Sequence, residues 1–335
     1  MTNAAGAMLP PSETLADLSE GEVLARIFPR LPSADAQLVG PGDDAAVLVA
    51  PDGRYVVTTD MMIQGPDFRL AWSSPHDLGW KAAATNLSDV AAMGARPTAL
   101  VVAIAAPPST PISTILGIAD GLRDCCQALA PGCGVVGGDL SASDALTLAV
   151  TAFGDLEGRE PVLRSGARPG DVVALAGRLG EAARGLELLF RLAVDANGTP
   201  DAALAAALRE QHPDEVAAQL APVPPIDRGP AAARAGATAM LDVSDGLAID
   251  AGRLARASGV GIDFARTALG EQIERALGGG EDHGLLATFP AGNALPEGFR
   301  ALGVVTDASG TVMVDGLTHG QGGWDPYRGW DGAVG

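Results

Sequence analysis

The chain has 335 residues, 47% of them hydrophobic, enough for two cores of ordinary size, so two domains are expected. A formal net charge of −19 argues against nucleic acid and anionic membrane surfaces as partners, because both are bound through basic patches. Met1 to Glu22 holds no basic segment followed by an apolar run, and the most apolar stretch, Thr98 to Ala106, is too short to span a bilayer, so no membrane association and a cytoplasmic location are expected.

Residues 1–12 read as an extension, and the spacing of Leu18, Val23, Leu24 and Ile27 predicts a helix over Glu13 to Phe28. Tyr55 to Thr59 reads as a strand that stops at Asp60. Ser74-Pro75-His76-Asp77 is a helix start, with Ser74 as cap and Pro75 in the first helical position, and the helix should run to Met93. Gly94 suits the left-handed position that ends a helix, Pro97 lies just beyond it, and Thr98 to Ala105 has the β-branched content of a buried strand. A helix from Pro111 to about Leu129 and strands at Val135 to Val136 and Leu146 to Phe153 complete a first unit of alternating strands and helices. After a boundary segment at Glu157 to Asp171, the second unit has a strand at Val172 to Ala176, a glycine turn and a helix from Glu181 to about Val194. Alanine-rich helices broken by Pro222, Pro224 and Pro225 lead to a strand at Ala239 to Val243, a helix at Leu247 to Ala257 and a strand at Val260 to Phe264, while Gly316 to Gly335 has the composition of loop. The fold class predicted is α/β (α+β), with an N-terminal domain over 13–155 and a C-terminal domain over 156–335.

Acidic residues recur in glycine turns and at strand ends: Asp43 and Asp44, Asp60, Asp139 after Gly137-Gly138, and Asp242 with Asp245 in Asp-Val-Ser-Asp-Gly. Any one of them also reads as an Asx turn or a helix cap. Together they point to one sheet edge, where ligands bind in α/β folds. Asp89 lies in the most apolar part of a predicted helix, where a lone carboxylate is costly, and few basic residues are near it in sequence. A metal ion serves it as well as a salt bridge, and hard oxygen ligands with so little histidine favour Mg²⁺ over zinc.

Carboxylates at the site of an anionic substrate make sense only with divalent ions between them and the phosphate oxygens. Lys81 is the sole lysine and no Gly-x-x-x-x-Gly-Lys-[Ser/Thr] pattern occurs, which excludes a Walker-type phosphate cradle. The Gly137-Gly138 amides read as a phosphate cradle or a plain turn, and Arg164 as a bidentate phosphate donor or a surface ion pair. His76, His212, His283 and His319 lie in no nucleophile-elbow setting, so a nucleophilic triad is not expected. Cys125, Cys126 and Cys133, odd in number and without a CxxC pair, read as buried and reduced.

Taken in order, Gly42-Asp43-Asp44-Ala45, Thr58-Thr59-Asp60, Asn86-Leu87-Ser88-Asp89 with Ala92-Met93-Gly94, Gly137-Gly138-Asp139, Arg164-Ser165-Gly166, Asp242-Val243-Ser244-Asp245-Gly246 and Gly279-Gly280-Glu281-Asp282 resemble the thiamine-monophosphate kinase family over nearly the whole chain. The fold and related motifs also occur in aminoimidazole ribonucleotide synthetase, selenophosphate synthetase and a hydrogenase maturation protein. The resemblance implies a homodimer of two-domain subunits, with ATP and several Mg²⁺ ions in a cleft and the γ-phosphate passed to thiamine monophosphate. It implies metal ligation by Asp44, Thr59, Asp60, Asp89, Asp139, Asp242 and Asp245, with Thr58 through its backbone. Gly138, Arg164 and Ser244 are implied for the nucleotide, and Asp67, Glu281 and Trp324 for the thiamine moiety. Asp89, Asp60, Asp245 and Arg164 are the residues on which catalysis is expected to depend. Where the family commonly has Gly-Gly-Glu-Asp-Tyr-Glu-Leu, this chain has Gly279-Gly280-Glu281-Asp282-His283-Gly284-Leu285, and Trp330-Asp331 competes with Trp324-Asp325 for the aromatic role.

A phosphate monoester acceptor is largely dianionic near neutral pH, so direct transfer needs no general base. The competing readings are a sister ATP-dependent enzyme with another acceptor and a non-catalytic protein that binds Mg²⁺ and nucleotide. The first cysteine is Cys125 and the chain ends in Ala333-Val334-Gly335, whereas the selenophosphate and hydrogenase relatives are expected to carry reactive cysteines near the N-terminus and at the C-terminus respectively.

Overall fold

The computed structural model describes residues 13–41, 45–320 and 322–323. Helix formation begins at Ser19 and not at Glu13: Ser19 and Glu22 form a reciprocal capping box that starts α1 (Glu20–Ile27), after a 3-10 turn at Leu15–Asp17. The hairpin β1 (Gln37–Val39) and β2 (Val47–Leu48) follows, and then β3 (Val56–Ile63). The expected stop at Asp60 is overturned, because β3 pairs antiparallel with β6 (Thr147–Asp155) all the way from Val56 to Ile63. α2 (Pro75–Ala92) starts as predicted, Ser74 and Asp77 forming its capping box, and Gly94 ends the turn at φ 74°. β4 (Arg96–Ala106) takes in Pro97, where the ladder with β6 is irregular between Pro97 and Ala99, so the missing N–H interrupts no regular pairing.

α3 (Ile112–Leu129) returns the chain to β5 (Gly134–Ala142), which runs parallel to β4. Gly137 and Gly138 lie within this strand and not in a turn. A Cβ on Gly138 would stand 2.0 Å from the Val102 carbonyl oxygen, so the close approach of β4 requires glycine there. The resulting sheet has the order β3-β6-β4-β5.

The second sheet draws on β7 (Val172–Ala176), then, after α4 (Glu181–Leu192), α5 (Ala202–Gln211), α6 (Pro213–Leu220) and α7 (Arg228–Arg234), on β8 (Ala239–Val243). α8 (Leu247–Ser258), β9 (Gly261–Phe264), α9 (Ile273–Gly278), β10 (Gly284–Phe289), β11 (Phe299–Thr306), β12 (Val312–Val314) and β13 (Leu317–Thr318) complete it in the order β13-β12-β9-β11-β7-β10-β8.

α2 is the element on which both sheets depend. A Cβ on Gly79 would lie 2.0 Å from the Ile118 carbonyl oxygen, so α2 and α3 meet backbone to backbone on the four-stranded sheet. Its other flank presses on the second sheet: Val90 and Ala91 share one buried cluster with Met240 of β8 and Leu285 of β10. A second cluster, with Phe264, Leu254 and Leu286, fills the space under α8, and a third joins α4, α5 and α6 to Trp72. Each fully buried large apolar side chain contributes about 1.5–3 kcal/mol, so these clusters dominate the packing energy. The three cysteines are free and buried, and among the described residues no helix is long and apolar enough to cross a membrane.

Candidate functional site

The period of two along β3 sorts its polar residues. Thr58, Asp60 and Met62 belong to the face toward α2, while Val57, Thr59, Met61 and Ile63 belong to the open face. Thr58 Oγ1 donates to Asp89 Oδ2 at 2.8 Å, and the Asp60 amide donates to Asn86 Oδ1 at 3.1 Å, so β3 and α2 are held together by two site residues. Thr59 Oγ1 instead donates to the Val150 carbonyl across the sheet.

Asp89 and Asp60 face Asp242, near the end of β8, and Asp245 follows in the turn before α8. Burial first, then the charges of Asp242 and Asp60, push the Asp89 carboxyl up to about 7. Asp60 is raised by desolvation and then by Asp242 and Asp245, with His283 opposing the shift. Asp60 and Asp89 therefore both feel the charge of Asp242, and Asp245 adds to the shift of Asp60. Among the described residues no three His, Cys, Asp or Glu side chains converge closely enough to hold one ion by themselves. The donor chemistry still fits a hard divalent cation, which relieves repulsion that the chain's own cations leave in place at Asp89.

The Asp242–Gly246 turn is braced from beneath. Asp250, 2% exposed, accepts from the amides of Asp245 at 3.0 Å and Gly246 at 3.1 Å, and Arg253 bonds both Asp250 and Asp245. Burial raises Asp250 to about 6 in spite of those hydrogen bonds. Its position in the first turn of α8 was a readable signal, since carboxylates favour that end of a helix.

The loop Gly279–His283 is stitched to this turn. Glu281 N donates to the Ser244 carbonyl at 2.7 Å and His283 N to the Val243 carbonyl at 3.0 Å, an approach that a Cβ on Gly280, 2.5 Å from the Ser244 oxygen, would block. Lys81 pairs with Glu281 and donates to the Gln219 carbonyl at 3.1 Å, while Gln219 Nε2 donates to Glu281 Oε2 at 2.7 Å. Desolvation would raise Glu281, but the charge and hydrogen bond of Lys81, together with His283 and Gln219, outweigh it and hold the carboxyl below its ordinary range. Asp67 Oδ2 accepts from the Ile63 amide at 2.7 Å, and its carboxyl is raised by burial, with Glu281 adding to the shift and Lys81 opposing it. Asp67 and Glu281 are thus brought to one place, with Lys81 between them in charge.

Asp282 has a different task. Its carboxylate accepts from Glu181 N at 3.1 Å and Ala182 N at 2.9 Å, as well as from Gly180 N, capping α4. Asp282→Ala should lower stability by about 1–2 kcal/mol, the usual cost of a lost cap, read as a fall in the urea midpoint with an unchanged slope. An unchanged midpoint would show that the cap is replaced by solvent.

Other predicted residues lie elsewhere. Asp139 is in register with Ala103, Ala149 and Met61, on the open face, and β5 stands three strands, or about 14 Å, from β3. Gly138 is in the neighbouring row, so neither joins the carboxylate group within one chain. Arg164 is exposed, and its carbonyl accepts from Ser258 Oγ at the last residue of α8, a helix about 18 Å long that starts beside Asp245. Asp44 and Trp324 lie outside the described residues, as does Trp330. Sequence reasoning assigned no site role to Lys81, Asn86, Gln219, Asp250 or His283. Lys81 was conspicuous as the only lysine, but its partner is 200 residues away.

Residues 42–156 match the family described as AIR synthase related protein, N-terminal domain. The chain is 42% identical to the thiamine-monophosphate kinase of Mycobacterium tuberculosis (strain CDC 1551 / Oshkosh), across 98% of this chain and 96% of that one. The crystal structure of thiamine-monophosphate kinase from Stenotrophomonas maltophilia K279a, 31% identical, superposes with a TM-score of 0.72 over 92% of this chain and 98% of that one. AaThiL complexed with AMPPCP and TMP, also 31% identical, superposes with a TM-score of 0.70 over 84% of this chain and 90% of that one.

Proposed function

This chain belongs to the thiamine-monophosphate kinase family and phosphorylates thiamine monophosphate to thiamine diphosphate at the expense of ATP; we propose that it does so by direct in-line transfer of the γ-phosphate, with Mg²⁺ held by the carboxylate group on β3, α2 and β8. The observation that carries this reading is a juxtaposition. The mutually repelling Asp60, Asp89 and Asp242 are joined, through the loop at Gly279–His283, to the Asp67–Lys81–Glu281 group. The first cluster suits phosphate-bound cations and the second suits a cationic ring system. When bound, Mg²⁺ supplies neutralisation of the phosphate charge.

Asp60, Asp89, Asp242 and Asp245 would hold the ions, with Asp44, Thr58, Thr59 and Asp139 as further proposed ligands. Gly138, Arg164 and Ser244 are proposed for the nucleotide, and Asp67, Glu281 and Trp324 for the acceptor. Asp67 and Glu281 set two carboxyl groups against the single ammonium of Lys81, an acidic surplus that suits a cationic ring. The acceptor phosphate oxygen is already ionised near neutral pH, and the protein's part is to hold two anions in line. Formation of thiamine diphosphate from ATP, Mg²⁺ and thiamine monophosphate by the purified chain tests the reaction, and omission of Mg²⁺ tests the metal. Turnover undiminished in a chelator would remove the metal assignment and leave the family membership standing.

We also propose a cytoplasmic homodimer in which residues 13–155 form the dimerisation and nucleotide domain and 156–335 complete the site. The support is the open face of the four-stranded sheet, where Val57 is 56% and Met61 58% exposed beside Ile63. An apolar patch of this kind marks an interaction surface, and Asp139 lies in the same face. Met61→Arg should convert a sedimenting dimer to monomer; a wild-type chain that sediments as a monomer would count against the assignment.

A further inference from the structure

His283 sits where the carboxylate group and the acceptor group meet. It is 5% exposed and adopts φ 50°, a conformation uncommon for residues other than glycine. Three separate contacts fix it: its amide donates to the Val243 carbonyl at 3.0 Å, its carbonyl accepts from Ser88 Oγ at 3.2 Å, and its Nδ1 meets Asp242 Oδ2 at 3.1 Å. The Ser88 contact ties it to the residue next to Asp89. Because a carboxylate only accepts, Nδ1 carries the proton in this pair. Nε2 is buried without a hydrogen-bond partner. A buried ring nitrogen without a partner is an exception among native structures and calls for a reason. Here the one ring nitrogen that is bonded is spent on Asp242, and a strained backbone is retained to put it there.

We infer that His283 is a positioning residue for the metal site: its Nδ1–H fixes one oxygen of Asp242 and so leaves the other free for a cation that would bind beside Asp60 and Asp89. The inference rests on the metal reading above. Outer partners of metal ligands act this way, locking the carboxylate rotamer before the ion arrives, and their loss costs about 10–100-fold in metal affinity or activity.

The test is direct titration of Mn²⁺, as a paramagnetic substitute for Mg²⁺, into the full-length chain, read by electron paramagnetic resonance of the free ion. Asparagine places its amide nitrogen where Nδ1 lies and tolerates positive φ, whereas glutamine extends to the position of Nε2 and phenylalanine supplies neither. His283→Asn should bind Mn²⁺ within a few-fold of wild type, and His283→Gln and His283→Phe about 10–100-fold more weakly. A double-mutant cycle separates this from backbone strain: once Asp242→Asn is present, adding His283→Phe should weaken binding no further. Thermal melts confirm that each variant is folded. Full binding by His283→Phe, rescue by Gln and not Asn, or additive losses in the cycle would overturn the inference. Absence of Mn²⁺ binding by the wild-type chain would overturn the metal reading and the inference together.

Discussion

Asp89→Asn should reduce kcat by more than the roughly 10–100-fold that loss of an outer-shell partner costs, because it removes a carboxylate expected to hold the ion itself. The fold should survive. Asp89 is a half-buried group on a helix held by apolar packing and by glycine contacts with α3, and asparagine can keep the hydrogen bond from Thr58 Oγ1. A second consequence follows from charge. The folded-state carboxyl of Asp89 is raised to about 7, against roughly 3.9 in an unfolded chain. A raised value contributes stability that is fully present below the unfolded value and is lost as pH rises through the folded one. Without Mg²⁺, the wild-type chain should therefore lose stability between about pH 4 and 7. Asp60, Asp67 and Asp250 are shifted in the same direction, so the readout is the difference between the two proteins. Melting temperatures in a chelator should fall more steeply with pH for wild type than for Asp89→Asn. Equal slopes would mean that Asp89 does not carry the repulsion, and near-normal turnover of the variant at limiting Mg²⁺ would refute its metal role.

Free thiamine should be phosphorylated at least about 100-fold more slowly than thiamine monophosphate, since a hydroxyl nucleophile needs a general base, and such a base contributes about 10²–10⁴-fold. Of the four histidines, His283 is the one in the site; its Nδ1 is committed to Asp242, and its Nε2 is buried with no hydroxyl or other partner in reach. Burial alone would lower His283, but the hydrogen bond and charge of Asp242, with the charge of Glu281, outweigh this and hold it above its ordinary range, so near neutral pH it is more often already protonated and less available to take a proton. The monophosphate needs no such help, and its oxygens would share the cations proposed to sit at Asp60, Asp89 and Asp242. Initial rates with each acceptor at saturating ATP and Mg²⁺ decide the matter. Comparable rates would mean that acceptor anchoring does not depend on phosphate.

The parts of the fold that could be read from the chain are those set by local chemistry. Ser74, Pro75 and Asp77 mark the start of α2 because capping is a contact between near neighbours, and β8 was predicted with its observed ends, Ala239 and Val243. The strand β3 was cut short because Thr-Thr-Asp looks like a terminus. It continues because β6 supplies a partner for every residue to Ile63, which is information held about 90 positions away. Gly137-Gly138 resembles a turn for a similar reason, as nothing local reveals the Val102 carbonyl against which Gly138 packs. Of the site, Asp60, Asp89, Asp242, Asp245, Asp67 and Glu281 were legible as residue types in suggestive places. The pairing of Glu281 with Lys81 and of Asp242 with His283 was not, because each is a long-range contact between residues that have other plausible uses.

The solitary lysine has a practical consequence. Lys81 is 4% exposed and its ammonium is engaged by Glu281 and the Gln219 carbonyl, so an acylating reagent has no lysine target until α2, the segment carrying Gln219 and the Gly279–His283 loop draw apart. Its labelling rate, followed by peptide mass, is a clock for opening of the acceptor side of the cleft, with no competing lysine signal to subtract. Thiamine monophosphate should slow that clock if it docks against Asp67 and Glu281, and saturating ATP alone should slow it less.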